Sequence, residues 1–199
     1  MAVLTLGCTE PCAPKPGISG LLIARSGFSS IVFLAAIGLS HGANGQALEY
    51  VVKAAYLYKF TPFVEWPASA FSAPASPFYL CVLGDDPFGS SLDQAVRGHL
   101  VGDHPVRIRR LQTLEEAGEC HILYLGTARA KLASAALEKV HGAPVLTVTE
   151  QSSGVSGGVV RFLIKDGHVR FTIDTAAAAA NRMVISAKLL SLAASNQAG

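Results

Sequence analysis

Two apolar runs of strand length, residues 78–83 and 120–125, dominate the middle of the chain. Strands that are apolar at successive positions have both faces buried, which is typical of parallel sheets covered by helices. Two further strands are predicted over residues 105–110 and 144–148, and helical patterns lie between the strands. This alternation of strands and helices predicts an α/β domain built on a mostly parallel sheet.

A hairpin closes this alternation. Asp166-Gly167 lies between predicted strands over residues 159–164 and 168–173, and this dipeptide favours the two-residue turn that joins antiparallel strands. The predicted fold is a three-layer α/β sandwich with about six strands, a C-terminal antiparallel hairpin and helices on both faces. In the common 2-1-3-4 order of such sheets, the first and third predicted strands are neighbours.

Helices are predicted at both ends of the sheet region. Apolar residues recur at helical spacing over residues 49–59, and Pro62 ends this first helix. A last helix is predicted over residues 176–194, with Asp174 or Thr175 available as its N-cap.

An apolar leader precedes the domain. Arg25 is followed by an apolar run over residues 27–39, and small residues lie three and one positions before the bond that follows Ala47. These are the parts of a secretory signal peptide, so we predict a signal peptide over residues 1–47, cleaved after Ala47, and a single domain over residues 48–199. An uncleaved anchor is the weaker alternative, because the run is shorter than the ~20 residues that cross a bilayer. The stretch before Arg25 is longer than a leader needs, which indicates a misassigned start codon or an unusual leader.

The charge balance excludes one class of function. The chain has 16 Lys and Arg residues against 14 Asp and Glu residues, a formal net charge of +2, and no basic run. Nucleic-acid binding requires clustered cations that displace counterions from phosphates. No nucleic-acid partner is therefore expected.

The cysteines point to an oxidising compartment. Cleavage of the leader removes Cys8 and Cys12 and leaves Cys81 and Cys120. Two thiols in an exported domain are most simply a disulfide, and neighbouring strands would bring this pair within reach. Two buried free cysteines are the alternative. His121 does not complete a metal site with Cys120, because neighbours on a strand point to opposite faces, and no metal is expected.

No catalytic constellation emerges from the sequence. Residues 154–158 match the G-x-S-x-G pattern of serine hydrolases, but a strand follows where the nucleophile elbow requires a helix. Asp85 and Asp86 follow the first strand and are predicted to form a turn whose side chains bond backbone amides. We therefore predict a protein that is not an enzyme and holds no cofactor.

The predicted segments resemble one known family. They are similar to the YfiR family of small periplasmic proteins, a domain of the DUF4154 type, from about residue 49 to residue 194. The resemblance rests on the order and spacing of six stretches: residues 53–60 with 63–67, 81–89, 120–125, 145–150, 157–158 with 169–174, and 185–193.

The resemblance implies a repressor in the periplasm. Members of this family bind the periplasmic sensor domain of an inner-membrane diguanylate cyclase and hold it inactive, which keeps cyclic di-GMP synthesis and biofilm formation low. Envelope or redox stress relieves the inhibition. The best-studied members have two disulfides, and Cys81–Cys120 would match one of them. Residues 147–164 contain no cysteine, so the second bridge has no counterpart here.

A repressor of this kind acts by docking, and a few apolar anchors dominate the binding energy of such interfaces. The candidate contact residues are Phe60, Phe63 and Trp66 after the first helix, and Phe171 and Ile173 in the hairpin. The first three form either this binding patch or part of the core. A homodimer is a second candidate assembly.

The alternative function is that of an envelope module that binds or senses a small molecule without a cyclase partner. In open α/β sheets, ligands bind in the crevice at the carboxyl ends of the strands. That crevice would lie near residues 84–86 and 126–127.

Overall fold

The computed structural model describes residues 42–194 of the chain. Five helices and nine strands lie in this range, joined by turns and short 3-10 segments. In chain order the elements are α1 (Gly42–Lys59), β1 (Val64–Glu65), β2 (Phe78–Leu83), α2 (Ser90–Val96), β3 (Leu100–Val101), β4 (His104–Leu111), β5 (Ile122–Tyr124), α3 (Ala130–Lys139), β6 (Leu146–Glu150), β7 (Val160–Lys165), β8 (His168–Ile173), α4 (Thr175–Ala180), β9 (Val184–Ile185) and α5 (Ala187–Leu192).

Seven strands form one sheet in the order β3-β4-β2-β5-β6-β7-β8. The pairs from β4 to β7 are parallel, whereas β3 and β8 run antiparallel to their neighbours at the two edges. The predicted order of the first four strands is confirmed, since β2 lies between β4 and β5, and β6 follows β5. The prediction missed β3, and with it the second antiparallel edge.

The central strands face two separate cores. In β2, Phe78, Leu80 and Val82 pack in a core that includes residues of α1 and α2. Cys81 and Leu83 pack in the other core, with residues of α3. Because successive side chains of a strand point to opposite faces, the unbroken apolar run of β2 supplies both cores. The three-layer arrangement of the whole domain stays a prediction.

The β7–β8 hairpin has the predicted turn. Lys165 lies opposite His168, and the two residues between them, Asp166 and Gly167, have φ values of 52° and 71°. Positive φ at both positions matches the twist of the flanking strands, and Asp-Gly adopts it readily.

The prediction of one helix over residues 176–194 is wrong in its middle. The segment is divided into α4, β9 and α5. Arg182 adopts the left-handed conformation with a φ of 57°, which ends helical geometry, and β9 then pairs with β1. Ser186 accepts a hydrogen bond from the Leu189 amide and begins α5 as its N-cap. Pairing with a distant strand therefore overrides the local helical pattern.

Helix α1 begins at Gly42, earlier than the predicted start at residue 49. The predicted cleavage site after Ala47 thus lies inside α1, and the rest of the predicted signal peptide, residues 1–41, lies outside the described residues. Within residues 42–194, every helix is too short or too polar to cross a membrane.

Candidate functional site

A buried lysine connects α1 to the sheet. Lys53 is only 2% exposed, and its Nζ donates hydrogen bonds to Glu150 at the end of β6 (2.8 Å) and to Glu49 one turn earlier in α1 (2.5 Å). The Tyr124 hydroxyl in β5 donates to the same Glu150 carboxylate. The ring centroid of Tyr50 lies 4.7 Å from the Lys53 Nζ. We call these five residues the lysine cluster.

Burial and charge together set the pKa values in the lysine cluster. Burial by itself lowers the pKa of Lys53, but the hydrogen bonds to Glu150 and Glu49 outweigh it, and the pKa is raised. Burial, and then the charge of Glu150, raises the pKa of Tyr124. Lys53 is therefore charged and Tyr124 protonated at neutral pH. The cluster fastens α1 to two strands through charged hydrogen bonds inside the core.

A glycine makes room for this cluster. Gly126 lies just after β5, where an added Cβ would come closest to the Tyr124 hydroxyl and would also approach Glu150 Cγ to 2.7 Å. Any other residue at this position would therefore displace Tyr124 or Glu150 from the cluster.

Two neighbouring depressions border the lysine cluster. One, of about 290 Å³, is lined by residues that include Lys53 and Glu150. The other, of about 430 Å³, lies between α1 and the β7–β8 hairpin and is called the α1–hairpin groove. Both include Glu49 and Ile164 in their walls. Depressions of this size are near the range of small-ligand sites.

The predicted disulfide is present on the other face of the sheet. Cys81 in β2 and Cys120 just before β5 are bonded, with their Cα atoms 5.9 Å apart. Both residues are buried among apolar side chains on the α3 side. The bond therefore ties β2 to the start of its neighbour β5 inside the second core.

His121, the residue after Cys120, packs and forms a hydrogen bond within the protein. Its Nδ1 accepts a hydrogen bond from the Tyr79 amide (3.0 Å), and its ring stacks on Phe78 with centroids 4.6 Å apart. Burial lowers the pKa of His121 to about 4, so the ring is neutral at physiological pH. In the part of the chain that the structure describes, the side chains that bind metals do not gather in groups of three or more.

The five predicted contact residues fall into two groups. Phe60 and Phe171 are buried and pack against each other, with ring centroids 5.0 Å apart. A partner cannot contact them in this conformation, so this part of the prediction is corrected. Phe63, Trp66 and Ile173 are half-buried and stay candidates.

Phe63 and Trp66 have different neighbours. The Trp66 ring packs edge-on against Phe78, at a centroid distance of 5.1 Å, so it is partly core. Lys188 Nζ lies 5.7 Å from the Phe63 ring centroid, and the Phe63 carbonyl accepts a hydrogen bond from the Ser186 amide. Phe63 is thus joined to the segment between β9 and α5.

A protein-family model matches most of the chain. The family model for DUF4154, described as YfiR/HmsC-like, matches residues 50–194. The chain belongs to the YfiR/HmsC-like family. The match includes all of the lysine cluster except Glu49, and it also includes both bonded cysteines. No curated protein matches the chain.

In this YfiR/HmsC-like domain the serine-hydrolase pattern is a loop. Residues 154–158 connect β6 to β7, and Ser156 is exposed there. A strand follows, as predicted, and a nucleophile elbow is not formed. Asp86 accepts a hydrogen bond from the Phe88 amide (2.8 Å) and pairs with Arg110, so this residue has the predicted turn role.

The lysine cluster has no recognisable signal in the sequence. Glu49 and Lys53 are four residues apart, a spacing that usually indicates a solvated ion pair on a helix surface. Glu150 ends a strand and gives no local signal. The two carboxylates and the lysine meet only because α1 packs over β5 and β6.

Proposed function

We propose that this YfiR/HmsC-like protein is a periplasmic negative regulator that binds the periplasmic sensor domain of an inner-membrane diguanylate cyclase and represses cyclic di-GMP synthesis. Family membership over residues 50–194 carries the proposal. The buried disulfide supports it, because disulfides persist in oxidising compartments such as the periplasm. The mechanism is docking rather than chemistry.

The proposed contact surface lies where β1 meets β9 and α5. Val184 in β9 is exposed and lies opposite Glu65 of β1. Lys188 lies beside the Phe63 ring, and the exposed Leu192 follows one helical turn later on α5. We call Phe63, Val184, Lys188 and Leu192 the corner patch. It keeps one of the predicted contacts and adds exposed apolar anchors, the kind of residue that dominates docking energy.

Val184→Glu tests the proposal at a side chain that is 60% exposed. Because the new carboxylate lies opposite Glu65, the thermal transition of the purified variant must first match that of the unaltered protein. The gene is deleted in the native host and restored with either form, and cyclic di-GMP is measured by mass spectrometry. Deletion should raise the dinucleotide, the unaltered protein should lower it again, and Val184→Glu should fail to do so. Burying the new carboxylate in the interface is unfavourable.

Leu100→Glu is the matched control, since Leu100 is an apolar strand residue with 57% exposure on the sheet edge. It should restore repression fully. An unchanged cyclic di-GMP level after deletion would end the proposed function. Equal failure of the two glutamate variants would end the assignment of the corner patch.

Small-molecule binding in the envelope is a second candidate function. A depression of about 310 Å³ lies at the predicted crevice, with Gly84, Asp85, Thr127 and Arg129 among its lining residues. The Thr127 hydroxyl donates to the Asp85 carbonyl and joins the two loops beside it. A thermal-shift screen against envelope metabolites tests this function. A stabilising ligand whose effect disappears in Arg129→Gln would support it.

A further inference from the structure

The outer face of the β7–β8 hairpin concentrates positive charge. Lys165 lies opposite His168 in the ladder, Arg161 precedes Lys165 by four residues, and Arg170 follows His168 by two. Residues at even spacing on a strand share a face, so all four side chains lie on the same face of the hairpin. The salt bridges within residues 42–194 do not involve Arg161, Lys165 or Arg170.

Exposed apolar side chains border the same hairpin tip. Ile164 precedes Lys165 and is exposed, as are Leu48 and Val51 on the first half of α1. Leu48, Ile164 and Arg170 all line the α1–hairpin groove, which brings the apolar and basic groups to one end of the domain. By the same alternation Ile164 points to the opposite, α1-facing side of the hairpin. Isolated exposed apolar residues are ordinary, but here three of them lie on one side of a tip whose other side is basic, and the two groups meet along the groove beside Arg170. The tip with these flanks is an amphipathic surface.

We propose that this amphipathic surface docks on an anionic phospholipid bilayer. The basic side chains would contact lipid phosphates, while Ile164, Leu48 and Val51 would enter the headgroup region. A basic group near an anionic leaflet and an apolar group in the interface are the two signals that together give reversible membrane binding. The proposal rests on the periplasmic location proposed above, because there the protein meets a bilayer.

The shape of the tip favours a bilayer over an acidic protein surface. Residues 164–168 are all exposed at the end of a two-residue turn, so the tip projects from the domain. A fluid interface accommodates a projecting tip, whereas a protein partner would need a matching cavity. The surface would orient the domain with the β7–β8 tip toward the membrane.

Vesicle flotation tests the docking surface directly. Protein purified from the envelope fraction is floated with vesicles of phosphatidylethanolamine and phosphatidylglycerol, and separately with phosphatidylcholine alone. The variant Arg161→Gln/Lys165→Gln/Arg170→Gln removes three cations from the face. Each cation near an anionic surface changes the partition coefficient about fivefold, so the triple variant should bind on the order of 100-fold more weakly. Binding of the unaltered protein should also fall at high salt.

The matched control removes three exposed cations elsewhere, in Lys59→Gln/Arg97→Gln/Arg107→Gln. It has the same net charge as the test variant and should float nearly like the unaltered protein. Any apolar leader that remains is common to all forms, so the comparison does not depend on cleavage.

Three results would overturn the bilayer assignment. The unaltered protein could fail to float with the anionic vesicles, or the two triple variants could float equally. The test variant could also float normally while losing binding to an acidic cyclase sensor domain, which would make the face a protein-docking site. The Val184→Glu repression assay is independent of flotation, so failure here leaves the proposed function standing.

Discussion

The cores on the two faces of the sheet are reinforced by different means. On the α1 side, the lysine cluster places a charged Lys53 between two carboxylates inside the core. On the α3 side, the core consists of apolar side chains and the Cys81–Cys120 bond. Arg109 lies opposite Cys81 in the ladder, and its ion pair with Glu119 is exposed to solvent. The apolar core of one face therefore contains a buried ion pair, and the apolar core of the other contains a disulfide.

The buried ion pair should mainly fix the position of a helix, whereas the disulfide should mainly add stability. A buried ion pair adds little net stability, because desolvation offsets the attraction of its charges, but removal of one partner leaves an uncompensated charge. The lysine cluster can therefore fix where α1 lies on the sheet. The cystine acts mainly on the unfolded chain, whose conformational freedom it restricts. The two faces should respond differently to mutation, reductant and pH.

Loss of the Lys53 ammonium should have the largest effect. Lys53→Met keeps a good helix former but leaves Glu49 and Glu150 facing an apolar side chain. We expect the free energy of unfolding to fall by about 3–5 kcal/mol in urea denaturation. Lys59→Met, at an exposed position of the same helix, should change it by less than about 0.5 kcal/mol. Adding Glu150→Gln to Lys53→Met should recover part of the lost free energy of unfolding. Equal free energies of unfolding for Lys53→Met and Lys59→Met would refute a role for the lysine cluster.

Removal of the cystine should have the next largest effect. Cys81 and Cys120 are separated by 39 residues, and the loss of loop closure in Cys81→Ala/Cys120→Ala should cost roughly 4 kcal/mol if chain entropy dominates. Both residues are buried, so alkylation after reductant should require denaturant. A double variant as stable as the parent, or free alkylation of the native protein, would contradict this account.

Acidification should lower the free energy of unfolding through His121, with a smaller effect than the two sets of substitutions above. Its pKa is lowered to about 4 in the folded chain, so between about pH 6.5 and pH 4 the unfolded chain binds a proton that the folded chain does not. Stability should therefore be complete above pH 6.5 and fall by about 3 kcal/mol as the pH approaches 4. Lys53, whose pKa is raised, stays charged between pH 6.5 and pH 4, so its contribution to stability does not change in this range.

A pH series of unfolding free energies on two variants checks this assignment. The exposed His141→Gln should keep the acid loss of the parent, whereas His121→Asn should remove it. If the loss survives in His121→Asn, another group is responsible.

The elements that local pattern determines were predicted well. The apolar run of β2 and the Asp166-Gly167 turn specify their structure within a few residues, and the strand order follows from common topology. Elements that depend on distant contacts were missed. β9 forms because β1 pairs with it, and the lysine cluster forms because α1 packs over strands nearly a hundred positions later. Burial of Phe60 and Phe171 likewise depends on that packing.

The position of the cystine determines how the molecule would respond to mechanical tension. The segment between Cys81 and Cys120 contains α2, β3 and β4, and the two strands form one end of the sheet. When the two chain ends are pulled apart, the load crosses the sulfur–sulfur bond and bypasses this segment. The disulfide keeps this segment, which spans a sequence separation of 39, from extending, and each residue would add up to ~3.5 Å. The oxidised chain should therefore extend on the order of 130 Å less than the reduced one.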